Sequence, residues 1–191
     1  MQFALTFDYL CPFARNANEA VLTALSSGAD WDVEFRPFSL SQAHVEVGEQ
    51  AAWDRAETPA GILALQWGLA ARDTAPEVFP AVHRALFAAR HDEGRDIGDE
   101  EVVRNAVAVA GGEVDALGAV VASGAPLRTL AAEHAEEVER WAVFGVPTFI
   151  MDDEAVFVRF MERDRVEDVT RVLDLVSWTR LNEFKRTRVP R

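Results

Sequence analysis

Hydrophobic positions alternate, cluster and recur along this chain in a way that separates three segments. Phe3-Ala4-Leu5-Thr6-Phe7-Asp8-Tyr9 is short and β-prone, and predicts a first strand. Apolar residues then recur at Phe13, Ala17, Ala20, Val21, Ala24 and Leu25, spacings that put them on one helical face. Pro12 suits the first turn of that helix, where a missing N–H costs nothing, and Gly28 suits its end. Trp31–Phe38 reads as a second strand. A strand–helix–strand unit of this length implies a crossover and parallel pairing.

From Gln50 to Phe144 the period changes to that of helices only. Helices are predicted from Thr58 or Pro59 to Arg72, Pro76 to His91, Asp99 to Ala110, Glu113 to Ala122 and Pro126 to Trp141. Gly111-Gly112 and Gly124 punctuate them. Strand patterns return at Val146–Met151 and Ala155–Phe160, joined by the acidic turn Asp152-Asp153-Glu154, and read as an antiparallel hairpin. Asp164-Arg165-Val166-Glu167 has the look of a capping box, with Val166, Val169, Val172, Leu173 and Val176 as the buried stripe of a last helix. The expected architecture is an α/β domain from residues 1–45 and 143–191, interrupted by a helical insertion over residues 46–142.

Charge narrows the partners. A net charge of −13 argues against nucleic acid or an anionic membrane surface as partner, since both would repel it. The acid concentrates in Asp92–Glu101 and Glu133–Glu139, and the basic tail Lys185–Arg191 is expected to fray. The longest apolar stretch, Pro59–Ala71, contains Gln66 and is too short to span a bilayer. Met1-Gln2 leads straight into the first strand pattern, without a basic region or a small-residue cleavage site. One cysteine cannot form an internal disulfide, so a cytosolic protein is expected.

That cysteine, Cys11, falls where the first strand hands over to the first helix. Unsatisfied N–H groups and the helix dipole stabilise an anion there, which predicts a favoured thiolate. A small buried hydrophobe is the other fate of a lone cysteine. Asp8 and Tyr9 precede it and either tune its proton or simply solvate the strand end. Arg15 can hold an anionic cofactor group, although an exposed face is the plainer expectation for Arg15 and Asn16. His44, His83, His91 and His134 have no paired metal spacing, so no metal is assigned, and His91-Asp92-Glu93 reads as a solvated helix end. Trp53, Trp67 and Trp141 are expected to pack the insertion.

Four segments in order carry a resemblance. They are Phe7-Asp8-Tyr9-Leu10-Cys11-Pro12-Phe13, Phe35-Arg36-Pro37-Phe38-Ser39-Leu40, Leu86-Phe87-Ala88-Ala89 with Glu93-Gly94-Arg95-Asp96-Ile97, and Gly145-Val146-Pro147-Thr148-Phe149. The chain resembles the DsbA family of thioredoxin-fold proteins. Within it the nearest likeness is to the FrnE-like and 2-hydroxychromene-2-carboxylate isomerase-like branch, to which kappa-class glutathione transferases are related. The resemblance implies a thioredoxin-like α/β fold with a large all-helical insertion, a cis bond between Val146 and Pro147, and a substrate cleft between the two parts. It makes Cys11 the catalytic nucleophile and Pro12, Phe13, Val146 and Pro147 the thiol- or substrate-binding residues. It also implies dimerisation through the sheet edge or the insertion.

Ala14 departs from the family pattern, since oxidising members carry a second cysteine there. The activity expected is therefore that of a monothiol oxidoreductase, forming a mixed disulfide with a peptide or with glutathione, mycothiol or bacillithiol. A thiol-dependent transferase or isomerase, with Cys11 donating a hydrogen bond to a bound thiolate, is the alternative. A binding module on a degenerate redox fold is a third.

Overall fold

The computed structural model describes residues 1–183, 185 and 186. Of the basic tail only Lys185 and Arg186 fall among them; residues 187–191 lie outside the described residues.

Four strands form one sheet: β1 (Gln2–Phe7), β2 (Asp32–Pro37), β3 (Thr148–Met151) and β4 (Glu154–Phe157), in the order β2-β1-β3-β4. β1 pairs parallel to β2, with Leu5 opposite Phe35, and antiparallel to β3, with Leu5 opposite Phe149. β3 and β4 form the antiparallel hairpin expected from the sequence. β1 is central, and after its first residue every position is buried. A strand covered on both faces loses the polar alternation of a half-exposed one.

The helices α1 (Pro12–Ser26), α3 (Ala60–Thr74), α4 (Phe79–His91), α5 (Glu100–Val109), α6 (Val114–Ala122), α7 (Ala125–Trp141) and α8 (Val166–Val176) follow the predicted periodic stretches within a few residues. Two small elements carry no periodic signal, α2 (Leu40–Ala43) and a 3-10 turn at Ala52–Asp54. The capping box does not form. Arg165 is the N-cap of α8 without a side-chain bond, and Asp164 lies just outside in a left-handed conformation, φ 57°. Glu167 instead pairs with Arg165 at 3.2 Å.

On one face of the sheet the rings of Phe7 and Phe35 meet His83 of α4. His83 in turn bonds to Asn18 of α1, so α4 is fastened to both the sheet and α1. The polar residues Arg15, Asn16, Asn18 and Glu19 of α1 are buried with its apolar ones. On the opposite face Arg36, the residue after Phe35, bonds to Glu137 of α7 at 2.9 Å. Buried apolar side chains of the sheet and of the intervening helices, Leu5, Phe7, Trp67 and Phe87 among them, belong to one continuous core. Trp67 is fully buried there, whereas Trp53 and Trp141 pack against it half-buried.

Candidate active site

The chain leaves β1 through a turn that Asp8 builds. Its Oδ1 accepts from the Leu10 N–H at 2.8 Å, and its carbonyl accepts from the Cys11 N–H at 3.0 Å. Its Oδ2 accepts from the Leu40 N–H at 2.7 Å, tying the turn to the start of α2. Asp8 is thus a fully buried anchor and not a solvated strand end. Burial removes water from its carboxylate, and two N–H donors only partly compensate, so its pKa rises from 3.8 to about 6.

Tyr9 anchors the same turn to α4. Its hydroxyl bonds to His83 Nδ1 at 2.8 Å, and its carbonyl accepts from His91 Nε2 at 2.9 Å. Asn18 spends its amide N–H on the Ala14 carbonyl at 2.8 Å, leaving its oxygen for His83 Nε2 at 3.1 Å. That fixes the tautomer: Nε2 carries the proton and Nδ1 accepts from Tyr9. Burial lowers the His83 pKa to about 3, so the ring is neutral at physiological pH. α4 ends as a solvated turn at Asp92 and Glu93, both exposed, while His91 is half-buried and Asp92 also pairs with Arg15 and Arg163.

Two glycines of α3 let the insertion press on this turn. A Cβ on Gly61 would come within 2.8 Å of Leu10 Cδ1, and one on Gly68 would fall on the Tyr9 hydroxyl.

Cys11 then caps α1. Its backbone is extended (φ −97°, ψ 115°), and its Sγ accepts from the Ala14 N–H at 3.4 Å. The thiol donates to the Val146 carbonyl at 3.3 Å. The Val146–Pro147 peptide is cis. Thus Cys11, Val146 and Pro147 converge, Phe13 stands half-buried on the first turn of α1, and Pro12 is exposed beside it.

The favoured thiolate read from the helix position does not survive in the folded protein. Burial pushes the Cys11 thiol up from 9.0, and the nearby Asp8 charge adds to that. The N–H groups of Ala14 and Phe13, and the cation of Arg159, pull the other way but do not win. Only 8% of Cys11 is exposed. The helix terminus is present; the desolvation around it is a tertiary effect.

Arg15 is not on an exposed face and is not free to hold an anion. It is 8% exposed and pairs with Glu19 and Asp92. Arg163 closes on Glu19 with two bonds, at 2.8 and 2.9 Å, and Asn16 donates to the Phe160 carbonyl at 2.9 Å. Together they fasten the loop between β4 and α8 to α1. The one hint in the sequence was polar residues recurring inside an otherwise apolar helix.

Two open clefts, of about 600 and 400 Å³, lie on the insertion and not at Cys11. Arg95, Glu101 and Arg104 line the first, and Thr74, Val78 and Leu117 the second. Among the described residues no group of three or more His, Cys, Asp or Glu is placed to hold a metal ion. No helix among them is long and apolar enough to cross a membrane.

A family model described as a DSBA-like thioredoxin domain matches residues 4–174. The chain belongs to this family. No curated protein matches the chain. Among solved structures it is similar to the cytosolic disulfide reductase DsbM of Pseudomonas aeruginosa with GSH, at 20% identity and a TM-score of 0.65, covering 95% of this chain and 100% of that one. A 2-hydroxychromene-2-carboxylate isomerase is similar at 18% identity and a TM-score of 0.66, with 94% and 98% covered. Pseudomonas aeruginosa DsbA is similar at 18% identity and a TM-score of 0.65, with 94% and 86% covered. At these identities the structures establish a shared fold, a DsbA-like thioredoxin fold with a helical insertion.

Proposed function

We propose that this family member is a monothiol exchange enzyme that reduces disulfides, with Cys11 as its nucleophile and a low-molecular-weight thiol as co-substrate. The observation that carries this reading is the Cys11 sulfur held between the Ala14 N–H and the Val146 carbonyl, with alanine where a resolving cysteine would stand.

In the first step the Cys11 thiolate attacks one sulfur of a substrate disulfide. The substrate S–S bond breaks, the Cys11 Sγ–S bond forms, and the other half leaves as a thiolate that takes up the proton Cys11 gave up. In the second step an external thiolate attacks Cys11 Sγ, the retained half of the substrate leaves as a thiolate and takes up a proton, and Cys11 is left bonded to the external thiol. In a third step a second external thiolate attacks the outer sulfur of that bond, and Cys11 departs with its electron pair. Two small thiols end as one disulfide, and the substrate ends reduced. The N–H groups of Phe13 and Ala14 receive the departing Cys11 thiolate. Once Sγ is bonded to sulfur it no longer donates to Val146, and the Val146 carbonyl is free to accept from an amide of the substrate beside Pro12 and Pro147.

The raised Cys11 pKa favours the reducing direction. Strong disulfide oxidants stabilise their reduced thiolate, and a thiol lacking that stabilisation is a better nucleophile once ionised and a weaker oxidant. A single unpaired thiol also suits a reducing compartment such as the cytosol. The similarity to a cytosolic disulfide reductase holding GSH supports the same reading. Intact mass after incubation with the disulfides of glutathione, mycothiol and bacillithiol tests it. A single adduct on Cys11, removed by the matching thiol, is expected; absence of any adduct overturns the reading.

One observation favours a second reading. The resting thiol is protonated and already donates a hydrogen bond, to Val146. It can donate instead to the thiolate of a bound cofactor, as a transferase or isomerase would require. Turnover that persists in Cys11→Ser would select this reading, because disulfide exchange needs the sulfur.

A further inference from the structure

Beside the sulfur stands a cation that the exchange steps leave unused. Arg159 lies just beyond β4 and is exposed. Its guanidinium carbon is 5.6 Å from the centroid of the Phe13 ring and 5.8 Å from that of Phe157. Phe13 is two residues past Cys11 on α1. Phe157 lies over Gly145, where a Cβ would come within 3.3 Å of its ring, and meets Phe144 with centroids 5.1 Å apart. Gly145 immediately precedes Val146, whose carbonyl receives the Cys11 thiol. The cation and its aromatic neighbours therefore run from the Cys11 helix to the loop facing it, along the rim of the site. Phe144 is 72% exposed, an unusual exposure for a large ring with no partner of its own in the core.

The guanidinium is free to bind. Among the described residues Arg159 makes no ion pair, whereas Arg163 and Arg165, a few residues further along the chain, are both paired. A guanidinium resting against aromatic rings is held by their quadrupole and keeps its N–H edges available. Those edges match a carboxylate with two parallel bonds. In a chain of net charge −13, small anions are repelled over most of the surface, so an unpaired cation at the rim selects where one can approach.

We propose that Arg159 is a specificity-determining residue of the Cys11 site, capturing a carboxylate on a small thiol or disulfide while Phe13 and Phe157 hold the guanidinium in place. The exchange it would direct rests on the function proposed above; the capture of the carboxylate does not. In that exchange the Cys11 thiolate displaces one half of the carboxylate-bearing disulfide as a thiolate, and the half retained on Cys11 keeps its carboxylate on Arg159.

Two measurements test the proposal. The first is the rate of Cys11 adduct formation with 3,3′-dithiodipropionate (anionic), 2-hydroxyethyl disulfide (neutral) and cystamine (cationic), in the native chain and in Arg159→Gln and Arg159→Lys. The native chain is expected to favour the anionic over the cationic probe by about tenfold at low salt, with high salt narrowing the gap. Arg159→Gln is expected to shrink that ratio to about twofold or less, and Arg159→Lys to retain part of it. The ratio is the readout because removing a cation near Cys11 slows every probe. An unchanged ratio in Arg159→Gln overturns the proposal.

The second measurement is calorimetric binding of S-methylglutathione, which cannot exchange. Weaker binding to Arg159→Gln, by about threefold or more at low salt, supports the capture even if no disulfide ever labels Cys11. That pair of results would discard the exchange function alone. Equal binding to both chains, or none to the native chain, overturns the carboxylate site.

Discussion

The Cys11 thiol and the Val146 carbonyl stand 3.3 Å apart although 135 residues separate them in the chain. Burial is the largest influence on the sulfur and pushes its pKa up. The bond favours the protonated form as well, because a thiol can donate to a carbonyl and a thiolate cannot.

The alkylation rate of Cys11 by iodoacetamide is accordingly expected to keep climbing with pH beyond 9, with its inflection above that of a free thiol. Asp8→Asn removes a nearby negative charge and is expected to bring the inflection down, so that alkylation at pH 8 is faster than in the native chain. An inflection below 7 in the native chain would contradict the structure.

Ala14→Cys restores a second sulfur three residues after Cys11. The Ala14 N–H already reaches Cys11 Sγ at 3.4 Å, and Ala14 is fully buried on the same turn. The variant is expected to form an internal disulfide under mild oxidant, measured as loss of two thiols by mass labelling. It is also expected to reduce insulin with dithiothreitol faster than the native chain. Two free thiols under oxidant would show that the turn does not place the new sulfur within bonding reach.

Buried neutral His83 makes stability depend on pH. Its folded pKa, about 3, lies below the ordinary 6.5, so between these values the unfolded chain binds the additional proton. Stability is then lost as pH falls through that window. His134, lowered to about 4, acts in the same direction. Asp8 opposes them: raised from 3.8 to about 6, it is protonated first in the folded state, and stability from this group increases as pH falls from 6 towards 4. The histidines win in sum, so the melting temperature is expected to fall from pH 6.5 to 4. His83→Asn, though less stable overall, should show a shallower decline. A decline as steep as the native one would remove His83 from this account.

Gly68→Ala tests the closeness of α3 to Tyr9. In an open helix the change would stabilise by about 1 kcal/mol. Here the methyl falls on the Tyr9 hydroxyl, disturbing its bond to His83. A net loss of about 1–3 kcal/mol in urea denaturation is expected, and a gain would show that Tyr9 has room to move.

Arg163→Ala leaves Glu19 buried with a single remaining partner, Arg15. A loss of about 1–3 kcal/mol is expected, with faster amide exchange in residues 160–164 than elsewhere. Uniform exchange throughout the chain would mean that this ion cluster does not fasten the loop.

Most of the fold is legible from local pattern. The period of the apolar residues marks β1, α1 and the five long helices of the insertion, because burying one face of a helix or strand leaves a regular trace. Pro12 and Gly28 mark the ends of α1 for reasons confined to their own backbones. The location of Cys11 at a helix start, and of Gly145-Val146-Pro147 at a strand start, is visible for the same reason. The resemblance of four ordered segments to the DsbA family extended this to the whole architecture.

What the chain alone could not settle depends on neighbours distant in sequence. Arg15 and Asn16 look like an exposed face until the end of α4 and the loop after β4 close over them, Asp92 pairing with Arg15 and the Phe160 carbonyl accepting from Asn16. Asp8 looks like a strand-end polar residue until Leu40 brings an N–H to its second oxygen. The thiolate expected of Cys11 from its helix terminus is a local electrostatic argument, and it is correct as far as it goes. Desolvation by the packed insertion and the cis-proline loop outweighs it, and that burial exists only once the chain is folded.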